Sequence, residues 1–265
     1  MAFSWRQLGA FVQTAGNVLD SHLDGFAAAG GKWLVPVLVN DQSVAADNRQ
    51  RLADLKERCA KRGIIVGLWA NGFGEDPLEL ASQVVALAKG RSLWPVVFDL
   101  EASYKDENAP KLPATLSYAR DLMPTRPIGV SSYGYADRAM IWNGRTLDPP
   151  RSLYDLRVRW LPQHYYLYDG KYAADWAMAD LKANGATDGN IADPDAPGGR
   201  GIPLSYAHGT LEVTGVEGHD LATGLAQLRA AKAYGFSYGF SIYVLERTSD
   251  ADFALLAAER GRLFK

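Results

Sequence analysis

The chain has 265 residues, of which 48% are hydrophobic and 22% charged, and its formal net charge is -2. This balance is typical of an ordinary soluble globular protein with a sizeable core. A near-neutral charge without any basic block gives no reason to expect nucleic acid as a partner. A single cysteine, Cys59, excludes an intramolecular disulfide and a cysteine-rich zinc site.

The N-terminal stretch MAFSWRQLGAFVQTAGN lacks the basic start and the uninterrupted apolar run of a signal peptide. No apolar run approaches the ~18 residues that a helix needs to cross a bilayer. We therefore expect a protein made in the cytoplasm, without a membrane partner. If it acts outside the cell, it leaves by lysis, by specialised export or as part of a particle such as a phage virion.

A repeated pattern organises the chain: an amphipathic helix, a glycine, and a short strand of branched and aromatic residues. Glycine ends a helix at low cost, and the residues that follow it here prefer a strand. The helices have apolar positions three and four residues apart, as in 43–62, and the helix at 76–89 begins with a favourable Asp-Pro. The strand candidates are, in chain order, residues 10–14, 33–40, 64–71, 94–101, 128–135, 157–165, 202–208 and 238–244.

These eight strands are nearly continuous apolar runs, which indicates parallel strands covered on both faces. Eight strand–helix units in this length predict an α/β fold, a (β/α)8 TIM barrel forming a single domain over residues 1–265. An open doubly wound sheet is the alternative, but the first strand lacks the glycine-rich phosphate loop of that fold. Residues 136–157, a weak helix and a proline-rich loop, and the turn-forming residues 186–201 are interpreted as loop elaborations.

The stretch WPVVFDLEASY places two carboxylates, Asp99 and Glu101, on the same side of the fourth strand, where it ends. Active sites of such barrels lie at the carboxyl ends of the strands. Aromatic rings that stack on sugars, amides that bind hydroxyls and an acid that protonates a glycosidic oxygen make up a carbohydrate site. The further candidate binding residues at strand ends are Trp69, Asn71, Tyr133, Tyr135, Trp160, Gln163, His164, Tyr206 and Tyr243.

The acidic pair also allows a structural interpretation, and the histidines bear on whether a metal binds. The acidic pair could instead form ion pairs with Arg157 or Arg159, or cap neighbouring loops. The four histidines show no metal-binding spacing, so we expect no metal and no cofactor.

The segments IIVGLWAN, WPVVFDLE, PIGVSSYGY and VRWLPQHY resemble strands three to six of the glycoside hydrolase family 25 lysozymes. Those enzymes cleave the glycan strands of peptidoglycan, and the resemblance implies that Asp99 and Glu101 are the catalytic pair. The family has an aspartate at the end of its first strand, where this chain has Gln13 and Thr14. It also lacks a long helix before its last strand, whereas residues 221–235 predict one here.

The Asp-x-Glu pair also resembles that of the family 18 chitinases, whose longer aspartate run is absent from this chain. In either case Glu101 is the expected general acid, because a partly buried carboxyl beside Asp99 should have a raised pKa. Asp99 would stay ionised, to stabilise positive charge on the sugar or to orient a substrate N-acetyl group that attacks in place of a protein nucleophile.

Two functions follow from these patterns. The first is a glycoside hydrolase acting on a bacterial cell-wall or other N-acetylated polysaccharide. The second is a non-catalytic barrel, a structural or glycan-binding component of a phage tail or similar assembly, with other virion proteins as partners. The intact Asp-x-Glu pair favours the first function, and the missing first-strand aspartate favours the second.

Overall fold

The fold is a closed ring of parallel strands surrounded by helices. The structure is a computed structural model that describes residues 3–5, 7–39, 42–73, 75–100, 111–133, 141–142, 145–146, 156–163, 167–168, 171–172, 209–212, 221–222, 225–226 and 240–263. Within these ranges, no helix has both the length and the apolar character needed to span a membrane.

Eight strands make up the ring, and every pairing between neighbours is parallel. They are Leu8–Val12 (β1), Gly31–Val39 (β2), Ile65–Val66 with Leu68–Gly72 (β3 and β4, the two parts of the third), Val96–Leu100 (β5), Ile128–Tyr133 (β6), Arg159–Gln163 (β9), Gly209–Glu212 (β12) and Phe240–Tyr243 (β13). The ring closes because β1 pairs with β2 on one side and with β13 on the other. The predicted (β/α)8 barrel is confirmed.

Within the described residues, helices follow five of the barrel strands, as the sequence predicted. Asp76 caps the third of them, where its carboxylate accepts the backbone N–H groups of Leu78 and Glu79 at 3.0 and 3.1 Å, and Pro77 occupies the first turn. The helices are Asp20–Ala28 (α1), Gln42–Ala60 (α2), Pro77–Gly90 (α3), Lys111–Leu122 (α4) and the C-terminal helix Asp250–Leu263, with 3-10 turns at Ala15–Asn17 and Leu245–Arg247.

Two details of the sequence prediction differ from the structure. The seventh strand is Gly209–Glu212 rather than 202–208, a segment that lies outside the described residues. Within 136–157, the expected weak helix is replaced at 141–146 by an antiparallel hairpin of Ile141–Trp142 (β7) and Arg145–Thr146 (β8). The sequence between these strands is Asn-Gly, the dipeptide typical of a two-residue hairpin turn, and this signal overrides the weak helical pattern.

Further along the chain, a second short hairpin, Leu167–Tyr168 (β10) with Lys171–Tyr172 (β11), follows the sixth barrel strand. The loop predicted at 186–201 lies outside the residues that the structure describes.

Side chains alternate between two apolar layers along each strand. Leu34, Leu68 and Phe98 point outward and pack against the helices, in the same layer as the buried Cys59 of α2. Burial raises the pKa of the Cys59 thiol to about 12, so this residue stays protonated and serves as a small core side chain, as predicted. The inner layer fills the ring and consists of Phe11, Trp33, Val35, Val37, Trp69, Val97, Leu161 and Val244.

Large aromatic residues close the amino-terminal end of the ring. Trp33 is fully buried there, and the rings of Phe3 and Trp5 lie 6.1 and 5.4 Å from it. Glycines on the facing strands make room for them: a Cβ at Gly9 would lie 2.1 Å from the Trp33 ring, and one at Gly129 would lie 2.9 Å from the Trp5 ring. The interior is therefore filled at this end of the ring.

Substitution of Gly9 by alanine tests this packing. The added methyl group would overlap the Trp33 ring, which is fixed by its neighbours, and overpacking of this kind costs about 1–3 kcal/mol. We expect Gly9→Ala to lower the melting temperature measurably by circular dichroism. Gly90→Ala is the matched control, because a Cβ there meets nothing within 4 Å and alanine is the better helix former. Equal melting temperatures for the two variants would contradict the packing described.

Candidate functional site

Polar inner-face residues gather at the carboxyl ends of three neighbouring strands. Trp69 and Asn71 lie two residues apart on β4, so both face the interior. Asn71 is in register with Asp99 on β5, and Asp99 is in register with Ser131 on β6. The half-buried Asp99 therefore stands between an amide and a hydroxyl at the open end of the ring, where the sequence placed it.

Three aromatic rings form the floor beneath these polar groups. The ring of Trp69 lies 5.3 Å from that of Phe11 and 5.8 Å from that of Tyr243, in both cases edge to face. Trp69 and Phe11 are buried, whereas Tyr243 is only half-buried. Tyr243 is thus the member of this aromatic floor with ring surface left to contact a ligand, and Trp69 supports it from below.

Glu246 also lies at this end of the ring. It follows β13 in the 3-10 turn and reaches across the seam of the ring to the end of β1. There its Oε1 accepts the backbone N–H groups of Gln13 and Thr14 at 2.9 and 2.7 Å. Burial raises the pKa of Glu246 above its usual range, and the two backbone hydrogen bonds only partly offset this effect.

The loop after β1 is held from its other side by Asn48 of α2. The Asn48 amide donates to the carbonyl oxygens of Gln13 and Val37, both at 2.9 Å, and its Oδ1 accepts the N–H of Ala15 at 2.7 Å. Asn48 is fully buried, so all three bonds are shielded from water. Glu246 and Asn48 together fix the rim of the site next to the first strand.

Three buried polar atoms near this open end have no hydrogen-bond partner among the described residues: Nε1 of Trp69, Oδ1 of Asn71 and Oε2 of Glu246. Buried polar groups are paired in the great majority of cases, so a group of such exceptions indicates a place for a ligand or a solvent molecule. The three atoms offer one donor and two acceptors, which is the complement of sugar hydroxyl groups.

The other predicted site residues fall into three groups. Positions 133 and 163 are in register with each other at the carboxyl ends of β6 and β9. Position 160 lies within β9, in register with Val130 of β6, and the assignment of Trp160, Tyr133 and Gln163 to the site stays a prediction. The predictions for Glu101, Tyr135, His164 and Tyr206 lie outside the described residues.

The sequence carries a signal for each of the two residues that hold the loop after β1. Glu246 is the first acidic residue after the eighth strand, and Asn48 is a polar residue in the apolar stripe of α2, in line with Ala45 and Leu52. A polar residue at a core position of a helix indicates a buried hydrogen-bond network. Among the part of the chain that the structure describes, no three histidine, cysteine or acidic residues are grouped to hold a metal ion.

No protein-family model matches the chain, and no curated protein matches it by sequence. Solved structures do. A GH18 chitinase mutant from Cycas revoluta in complex with (GlcNAc)4 is similar with a TM-score of 0.66 and 9% identity, over 96% of this chain and 99% of that one. The catalytic domain of a hyperthermophilic chitinase from Pyrococcus furiosus is similar with a TM-score of 0.65 and 12% identity, over 98% of this chain and 96% of that one.

The spore cortex-lytic enzyme SleL of Bacillus cereus is similar with a TM-score of 0.60 and 9% identity, over 94% of this chain and 73% of that one. The chain has a glycosidase-like barrel fold. At these identities the likeness extends to the fold alone. The expected resemblance to a glycosidase barrel is confirmed at that level, and the structures named here are chitinase-type barrels rather than family 25 lysozymes.

The raised pKa of Glu246 makes the stability of this glycosidase-like barrel depend on pH. The pKa of the Glu246 carboxyl is higher in the folded than in the unfolded state, so its protonation stabilises the fold. This contribution is complete when the pH is below the ordinary pKa of glutamate, about 4.3, and it is lost as the pH rises through the pKa of the folded state. Glu246→Gln keeps an oxygen acceptor for Gln13 and Thr14 but does not titrate. We therefore expect its melting temperature, relative to the parent, to increase from pH 4 to pH 8.

The control for this comparison is Glu79→Gln, an exposed carboxylate on α3. Its melting temperature relative to the parent should stay nearly constant over the same pH range. If the melting temperature of Glu246→Gln relative to the parent stayed constant or fell from pH 4 to pH 8, Glu246 would not be a buried ionisable carboxyl between β13 and β1.

Proposed function

We propose that this barrel is a glycoside hydrolase that cleaves an N-acetylated polysaccharide at the open end of the ring. The observation that carries the proposal is a set of buried polar atoms of Trp69, Asn71 and Glu246 that have no partner among the described residues, next to the aromatic floor and to Asp99. Sugars require this combination, because their ring faces are apolar and their edges carry hydroxyl groups. The other end of the barrel is filled by Trp33 and its neighbours.

The roles of the acidic pair follow from their place on the chain. Glu101 comes two residues after Asp99 and continues the inner-face alternation of β5 in the sequence. In the proposed reaction Glu101 gives its proton to the glycosidic oxygen as the bond to the anomeric carbon breaks. Asp99 remains ionised and stabilises the positive charge that develops on the sugar, either directly or by orienting the substrate's N-acetyl group to attack the anomeric carbon.

Glu246 weakens the main argument for a non-catalytic barrel. The lysozymes that the sequence resembles have an aspartate at the end of their first strand, and this chain has Gln13 and Thr14 there. The structure nevertheless has a carboxylate at this place, because Glu246 binds the backbone of both residues. We infer that Glu246 takes over the position of the missing first-strand carboxylate.

The proposed substrate is a polymer that contains N-acetylglucosamine, with bacterial cell-wall glycan as the preferred candidate. The similar chitinase structures from Cycas revoluta were solved with GlcNAc oligomers, and SleL is named for lysis of spore cortex. Family 25 resemblance favours peptidoglycan, whereas the fold comparison favours chitin-like chains. Assays on both polymers with the same protein decide between them.

Kinetics of Glu101→Gln test the acid role. The variant keeps the shape and hydrogen bonding of the residue but removes the transferable proton. We expect turnover on a GlcNAc oligomer to fall by roughly 10² to 10⁴-fold, and to fall much less on an activated aryl glycoside, whose leaving oxygen needs little protonation. Glu79→Gln, at an exposed carboxylate of α3, should leave both rates unchanged.

Asp99→Asn separates the second role from the first. Turnover should fall about equally on both substrates, because positive charge develops on the sugar in either case. Removal of the like charge should also lower the pKa of Glu101 and move the basic limb of the pH profile to lower pH. A parent protein that binds GlcNAc oligomers but cleaves neither chitin nor peptidoglycan would refute the enzyme and favour a glycan-binding barrel.

A further inference from the structure

A concave surface lies on the outside of the barrel, on its helices. It is a groove of about 860 Å³ between one face of α2 and the turn that follows α3. The α2 face contributes Arg49, Ala53 and Lys56, which recur at helical spacing, and the turn contributes Arg91 and Ser92. The volume suits a ligand of small-molecule size.

The lining of this groove is basic. Its residues include three cations, Arg49, Lys56 and Arg91, and no acidic residue. Arg49 donates to the carbonyl oxygen of Leu38 and Lys56 donates to that of Arg91, both at 2.6 Å. These bonds hold two of the three cations in place without neutralising their charge.

The other cations on α2, and the one directly after it, are arranged differently. Arg51 pairs with Asp47 at 3.0 Å, Arg58 with Asp54 at 2.9 Å, and Lys61, the residue after α2, with Glu57 at 2.8 Å. Each pair joins positions four residues apart in the chain. Of the basic residues on α2, then, those on the groove face are the ones that have no carboxylate partner within the described ranges.

We propose that this groove binds an anion that carries two or more phosphate or carboxylate groups. Arg49 and Lys56 are seven residues apart on α2, which separates their backbones by about 10 Å along the helix, with Arg91 facing them from the turn. One small anion would not reach all three cations, whereas a ligand with several anionic groups would. Arginine offers paired donors to such groups, and charge-assisted hydrogen bonds are the strong ones.

Isothermal titration calorimetry at low salt tests the proposal with two probes, tripolyphosphate and propane-1,2,3-tricarboxylate. We expect saturable binding of at least one of them, and preference between the two identifies the anionic group. Lys56→Gln and Arg91→Gln should each weaken that binding by about tenfold or more, since hydrogen bonds to charged groups contribute about 1.5–3 kcal/mol. Both residues lie at the surface, and glutamine at 56 retains a donor for the Arg91 carbonyl.

Lys61→Gln is the matched control, because it makes the same change of charge on the same helix at a residue outside the groove lining. Its affinity for the probe should stay within about twofold of the parent's. Equal weakening in Lys61→Gln, or no saturable binding of either probe by the parent, would overturn the proposal. None of these variants touches the strand-end site, so the result is independent of glycosidase activity.

Discussion

The structure depends on how the interior of the closed ring is filled. Eight parallel strands enclose a fixed volume, and close packing leaves little freedom in how side chains share it. Here the large residue Trp33 on β2 is accommodated by the absence of a side chain at Gly9 on β1, and Trp5 by its absence at Gly129. Large groups on some strands thus require glycine on their neighbours.

This packing makes the two ends of the barrel different. Trp33, Phe3 and Trp5 fill the amino-terminal end of the ring, so we propose that a ligand enters at the carboxyl ends of the strands. Toward that end the inner face changes from apolar to polar side chains: on β4 Trp69 is followed two residues later by Asn71, and on β5 Val97 is followed two residues later by Asp99. The site therefore lies directly above a rigid aromatic layer.

The rim next to the first strand is made rigid by buried polar contacts. Asn48 and Glu246 come from distant parts of the chain, yet both bind the backbone that follows β1. Groups held in this way lose little freedom when a ligand binds, which favours precise positioning of the substrate. Oε2 of Glu246, which has no partner in the part of the chain that the structure describes, is an acceptor at this rim.

The sequence was sufficient to predict the fold because the evidence for it is local. Apolar runs and helix-ending glycines placed seven of the eight strands within a few residues, and Asp76 marked the start of α3. The seventh strand was placed too early, since the apolar run at 202–208 and the strand at Gly209–Glu212 are adjacent and periodicity alone does not separate them.

The site was harder to predict because it depends on contacts between remote residues. Asp99, Asn71 and Tyr243 were predicted from their places at strand ends, and each lies in the last two residues of its strand. The bonds from Glu246 to Gln13 and Thr14 join positions more than two hundred residues apart, and no local pattern encodes them.

The most direct measurement of the central claim is a crystal structure of the Glu101→Gln variant with a GlcNAc tetramer. We expect the oligosaccharide to bind at the carboxyl ends of the strands, in contact with Tyr243 and Asn71. A glycosidic oxygen should lie within hydrogen-bond distance of residue 101, and an N-acetyl group or an anomeric carbon should lie beside Asp99. A tetramer bound elsewhere on the barrel, with this end of the ring empty at saturating ligand, would contradict it.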